Sequence, residues 1–178
     1  GAPAQLDTVL AAGAPALEDL AALGRRATSR LAVAEIEEWL PPLAAPGKAI
    51  AVGLNYAEHA AEGAAAVPQY PVLFSRYPSS WVGHGQPIVK PRVSEALDYE
   101  GEMVIVIGKA GRHVALADAL GYVAGYSIFN EGSVRDYQMR TTQWTIGKNF
   151  DRSGSFGPAF VTADELPPGA TGLQLQTR

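Results

Sequence analysis

The sequence predicts an α+β fold dominated by sheet, with a short helical segment in front, and three observations carry that prediction. Residues 1–46 are rich in Ala and Leu at helical spacing and close on Pro41, Pro42 and Pro46, which stop any helix. From residue 49 the texture changes to short apolar runs cut by Gly, Pro and Asn, the punctuation of strands. A chain of 178 residues is long enough for one real core, divided here into a small leading segment, 1–46, and a body, 47–178.

Each element follows from its local pattern. In the leading segment, "ALEDLAALGRR" sets Ala16, Leu17, Leu20 and Leu23 along one side of a helix. The candidate strands are "AIAVGL" (49–54), "VLFSR" (72–76), "PIVK" (87–90), "EMVIVIGK" (102–109), "VAGYSIFN" (123–130) and "GPAFVT" (157–162). Between them "NYAEHAAEGAA" (55–65), "LADAL" (116–120) and "SVRDYQMRT" (133–141) read as short helices or helical turns. The final "TGLQLQTR" alternates apolar and polar residues like a half-buried strand that needs a neighbour, so the sequence reads as the front part of a longer protein.

Composition narrows the function classes. With 47% hydrophobic residues, 18% charged and a net charge of -4, the 14 Lys and Arg form no basic stripe, so nucleic acid is not expected as a partner. No apolar run approaches the ~20 residues that span a bilayer, and the start lacks the basic residues of a secretory signal. The absence of cysteine excludes disulfides and thiolate metal sites and suits a reducing compartment, so a cytoplasmic location and no membrane partner are expected.

Within the body, Asp98, Glu100 and Glu102 alternate at the mouth of the apolar run "MVIVI". Residues two apart in a strand share a face, with ~7 Å between successive backbones, so three like charges in a row call for a partner. A further acid, Glu131, stands at the end of another expected strand. Clustered carboxylates at strand ends are stabilised by a hard cation that takes oxygen ligands: Mg²⁺, Mn²⁺ or Ca²⁺ rather than Zn²⁺ or copper. His59 and Glu62 are three residues apart, side by side on a helical turn, where a carboxylate makes an imidazole a stronger base. From spacing alone a solvated helix surface is the more frequent outcome for such a pair, and Glu58 is a competing neighbour. His84 and His113 lie in turn-like settings and read as solvated. Lys148 sits in a Gly-rich loop, where it is either solvated or a positive charge for a developing oxyanion. The Gly83–Gly85 pair lacks the following helix and acidic partner of a dinucleotide site, so no organic cofactor is expected.

Taken together, "GLNYAEHAAE", "DYEGEMVIVIGK", "GYSIFNEGSVRDYQ" and "TTQWTIGKNFDRSGSFGP" resemble, in order and approximate spacing, the fumarylacetoacetate hydrolase family over residues 46–178. "PVLFSRYPSSWVGHGQPIVKP" and "GPAFVTADELPPGA" fit as well. The resemblance implies a predominantly β, mixed-sheet sandwich roll and a homodimeric, metal-dependent enzyme acting on small diketo or oxo acids. It implies that Glu100 and Glu102 bind the divalent cation, Mg²⁺ or else Mn²⁺ or Ca²⁺, with the third ligand at Glu131, where the family normally carries Asp. The extra methylene either shifts the ion, interposes a water or removes this ligand. His59 and Glu62 match the family's proton-carrying dyad, and Lys148 the lysine that neutralises the substrate's carboxylate or enolate. Arg135 and Asp136 match an element supporting the site, and Gln143 approaches the substrate.

The implied reaction is carbon–carbon cleavage of an acylpyruvate or other diketo acid by a His59–Glu62-activated water, leaving a stabilised enolate. Decarboxylation of a 2-oxo acid, or its isomerisation or hydration in aromatic-compound degradation, needs the same enolate and stands as the alternative. Two departures motivate a third reading, a catalytically weak binding or scaffold homologue. One is Glu131; the other is that family members continue with further strands and a "GTP" loop where this sequence stops at Arg178. The family's N-terminal strands are likewise not evident in residues 1–46.

Overall fold

The computed structural model describes residues 5–56 and 68–177. His59, Glu62 and most of the expected helix over 55–65 lie outside the described residues.

Two helices lead the chain: α1 (Leu6–Ala11) and α2 (Ala14–Arg26). Gly13 at φ 82° turns the backbone between them, Pro15 occupies the first turn of α2, and Arg25 and Arg26 sit in its last turn, where the helix dipole favours cations. The Asp7 carboxylate accepts hydrogen bonds from the Ala44 N–H at 2.8 Å and the Ala45 N–H at 3.3 Å, tying α1 to the proline-rich stretch. Among the described residues no helix is long and apolar enough to cross a membrane.

Among the described residues the body has nine short strands: β1 (Ile50–Gly53), β2 (Val72–Ser75), β3 (Trp81–Gly83), β4 (Leu97–Asp98), β5 (Gly101–Ile107), β6 (Val123–Asn130), β7 (Ser133–Val134), β8 (Gly154–Phe156) and β9 (Val161–Thr162). The main sheet runs β3-β8-β6-β5, with β9 also pairing β6; β3 lies parallel to β8 and the other pairs are antiparallel, so the sheet is mixed. β1 and β2 form an antiparallel pair, as do β4 and β7. Two short helices follow, α3 (Arg135–Gln138) and α4 (Thr145–Lys148).

The core is built on alternation. Along β5, Val104 and Val106 turn inward while Met103, Ile105 and Ile107 remain on the outer face. Val106 joins Leu10, Leu43, Trp81 and Phe156, so the leading segment and the body share one apolar cluster. Trp81, Phe129 and Phe156 meet edge to face at centroid distances of 5.8 to 6.0 Å.

Two expected strands do not form. Residues 87–90 lie outside any ladder, because Pro87 and Pro91 bracket the run and the Val89 amide is taken by the Arg152 carbonyl. The alternating tract at 173–177 is also not a strand, and its Leu173 and Leu175 are exposed. Thr177 instead passes over Gly101, in the space a side chain at 101 would fill.

Candidate metal centre

Ladder geometry brings the acids together. Gly101 of β5 pairs with Asn130 of β6, and the Glu131 N–H continues the ladder by donating to the Glu100 carbonyl at 2.8 Å. Residues opposite one another across an antiparallel pair point the same way, so Glu100 and Glu131 face a common space, and Glu102 joins them two residues along. The acids extend outward the inward-facing row of Val104 and Val106. One carboxylate oxygen from each of Glu100, Glu102 and Glu131 lies within 4.8 Å of the others.

Cations surround two of the three. Lys148, its side chain only 2% exposed, donates from Nζ to both Glu100 oxygens at 2.9 Å and lies 3.5 Å from Glu131 Oε2. Arg135 bridges outward: Nη1 donates to Glu100 Oε1 and to Gln138 Oε1, while Nη2 donates to Asp98 Oδ2 at 2.7 Å. Ser133 Oγ adds a 2.8 Å hydrogen bond to Glu100. Burial raises Glu100, but Lys148, Arg135 and Ser133 outweigh it and leave this carboxyl below the ordinary range. Glu131 goes the other way, because burial and the Glu100 charge exceed what Lys148 and Arg76 offset. Glu102 rises to about 7, through burial first and then the Glu131 and Glu100 charges.

Small residues allow these approaches. A side-chain carbon at Gly147 would run into the backbone of Gln138, so only glycine lets α4 lie against α3 and bring Lys148 beneath Glu100. A carbon at Gly132 would collide with the Ser153 carbonyl oxygen, so glycine lets the chain after Glu131 press against residue 153. Asn149 fixes the exit of α4: its Nδ2 donates to the Thr145 and Ser75 carbonyls, and its Oδ1 accepts the Tyr77 N–H.

Several of these groups carry no signal in the sequence. Arg76, 5% exposed, donates to the carbonyls of Gly132 and Ser80 and turns Nε toward Glu131 Oε1 at 4.0 Å. It stays cationic although burial lowers it to about 10. Ending an apolar run at the edge of "VLFSR" gives no hint of a buried guanidinium. Tyr56, Ser133 and Gln138 likewise have only their contacts to mark them. Of the residues singled out from sequence, the structure joins Glu100, Glu102, Glu131, Lys148 and Arg135 in one cluster. Asp136 accepts from Ser94 Oγ at 2.6 Å, and Gln143 is exposed in a local turn with Thr141.

The donor set suits a hard divalent cation. Oxygens held at about 2.3–2.6 Å on one such ion lie no more than about 5 Å apart, as these do. Glu131 Oε1 is buried with no hydrogen-bond partner, a costly state for a carboxylate oxygen that a cation would relieve.

Comparison with known proteins agrees. Residues 48–178 match the family model described as "Fumarylacetoacetate (FAA) hydrolase C-terminal". The mitochondrial oxaloacetate tautomerase Fahd2a of Rattus norvegicus is 45% identical over 129 residues, 72% of this chain and 41% of that protein. The chain thus spans less than half the length of that relative. Among solved structures, the fumarylacetoacetate hydrolase of Exiguobacterium antarcticum superposes with a TM-score of 0.64 at 42% identity, covering 73% of this chain and 47% of that one. A 5-carboxymethyl-2-hydroxymuconate delta-isomerase from Mycobacterium smegmatis gives 0.65 at 38% identity, covering 76% and 53%. With the family model matched over residues 48–178 and solved structures superposing at 38–42% identity, this chain belongs to the fumarylacetoacetate hydrolase family.

Proposed function

We propose that the chain carries the cation-holding part of an enzyme that interconverts keto and enol forms of a small 2-oxo acid. The observation that carries the reading is the inward cluster of Glu100, Glu102 and Glu131, flanked by Lys148 and Arg135. Glu100, Glu102 and Glu131 would hold a divalent cation, Mg²⁺ first among the candidates, which would supply Lewis acidity at a substrate carbonyl. Glu100 is kept ionised by Lys148 and Arg135 and so stays an anionic donor at neutral pH. Lys148, shared between Glu100 and Glu131, sets the local charge into which an enolate develops. Proton transfer at the carbon next to the carbonyl falls to the His59–Glu62 pair, assigned from sequence spacing and the family motif. Arg135 is the group for the substrate's carboxylate, with Gln143 as a further contact.

Keto–enol exchange is favoured over cleavage because a tautomerase and an isomerase stand among the similar proteins. Carbon–carbon hydrolysis of an acylpyruvate uses the same enolate and is the second reading, supported by the hydrolase of Exiguobacterium antarcticum. A second copy of the chain as partner and a location in the cytoplasm or, as for the rat relative, the mitochondrion belong to the same proposal. Proton NMR of oxaloacetate and of an acylpyruvate incubated with the protein and Mg²⁺ separates the readings. Accelerated solvent deuterium exchange and keto–enol equilibration without loss of mass support tautomerisation. Appearance of two acids supports hydrolysis, and no change in either substrate contradicts both.

A further inference from the structure

We propose that Ser133 is a positioning residue for the cation site: its hydroxyl ties down one oxygen of Glu100 and leaves the other, Oε2, as the oxygen offered to the cation. The inference rests on the cation reading of Glu100, Glu102 and Glu131 given above.

The two oxygens of Glu100 are unequally occupied. Oε1 accepts from Ser133 Oγ at 2.8 Å, from Lys148 Nζ at 2.9 Å and from Arg135 Nη1. Among the described residues Oε2 accepts from Lys148 Nζ alone, at 2.9 Å. A carboxylate offers about four lone-pair sites over its two oxygens, so three donors fill Oε1 and a single one leaves Oε2 room for a further ligand. Lys148 cannot make this choice, because its ammonium straddles both oxygens at the same distance. The asymmetry comes from Ser133 and Arg135.

Of these two, Ser133 is the fixed point. Arg135 has a long, half-buried side chain that it divides among Glu100, Asp98 and Gln138. Ser133 is fully buried and its hydroxyl turns about a single side-chain torsion. That hydroxyl has one proton and two acceptors in reach, Glu100 Oε1 and, at 3.1 Å, the Glu131 carbonyl. The bond to an ionised carboxylate is the shorter and stronger, so the proton goes to Glu100. The backbone beneath is set without the hydroxyl, since β7 pairs Ser133 with Asp98 of β4 and the Arg135 N–H donates to the Ala96 carbonyl at 2.8 Å. Partners that orient a metal ligand in this way are worth about 10–100-fold in metal affinity.

The test is Mn²⁺ titration by calorimetry on the wild type, Ser133→Ala and Ser133→Thr, with thermal melting of each metal-free protein and a crystal structure of the Mn²⁺-loaded wild type. Ser133→Ala is expected to stay folded and to bind Mn²⁺ about tenfold more weakly than wild type. Ser133→Thr keeps the hydroxyl and should bind within about threefold of wild type, a recovery that loss of packing alone would not give. In the loaded crystal the ion should touch the Glu100 oxygen that is not bonded to Ser133. Ser133→Ala binding within twofold of wild type overturns the proposal, as does Ser133→Thr binding as weakly as Ser133→Ala. An ion on the Ser133-bonded oxygen, or on both oxygens of Glu100, overturns it as well. So does a Ser133→Ala chain that does not fold, since orienting one carboxylate is not a requirement of folding. Wild type that takes up no Mn²⁺ removes the cation reading itself, a different failure from wild type and Ser133→Ala binding equally.

Discussion

Glu102 and Lys148 sit at opposite ends of the site's charge balance, and each supports a prediction of its own. Glu102 is raised from 4.5 to about 7, so between those values the folded, metal-free protein holds a proton that the unfolded chain has released. Stability from this group therefore falls as pH rises through that window, and Glu131, also raised, acts in the same direction. Glu100, held below its ordinary value, contributes in the opposite sense, and that contribution is lost only under more acidic conditions. In chelator the melting temperature should accordingly be higher near pH 5.5 than near pH 8. Adding Mg²⁺, which needs ionised carboxylates, should raise the pH 8 value more than the pH 5.5 value. Lys148→Met leaves Glu100 and Glu131 buried without their shared cation and should cost about 3–5 kcal/mol in denaturant unfolding. A cost below 1 kcal/mol would show the pair to be solvated.

At the scale of the element, the site is a consequence of how β5, β6 and the two short helices meet. Gly147 is the tightest point, and Gly147→Ala should force α4 away from α3, destabilising the fold by about 1–3 kcal/mol and weakening divalent binding by displacing Lys148. Denaturant melts and Mn²⁺ titration on that variant check both effects. Elements with a strong pattern were legible in the sequence. The run 123–130 is β6, and 102–109 contains nearly all of β5, because long alternating or apolar runs report burial directly. β3 and β8 were not legible, since each has only three residues and owes its extension to the other across a parallel ladder. The acids were readable because alternation is local, and Lys148 because its motif is distinctive. Arg76 and Tyr56 were not, because burial of a guanidinium or a phenol depends on other parts of the chain, Gly132 and Ser80 in one case and Met103 in the other.

Over the whole molecule, the leading helices and the strand-rich body differ in texture yet share a core, with Leu10 and Leu43 against Trp81, Val106 and Phe156. Leu10→Ala should therefore lower the stability of the entire protein in one cooperative transition, by about 2–5 kcal/mol, rather than melt a separate leading segment. Two resolved calorimetric transitions would contradict the shared core. The same sheet that organises this core carries, on its inward row, the acids that converge from β5 and the end of β6. The most direct test of that convergence is an anomalous difference map from crystals of the protein grown with Mn²⁺. One strong peak is predicted, within about 2.0–2.6 Å of an oxygen from each of Glu100, Glu102 and Glu131. A map with no peak there, the three carboxylates remaining paired only with protein groups, would contradict it.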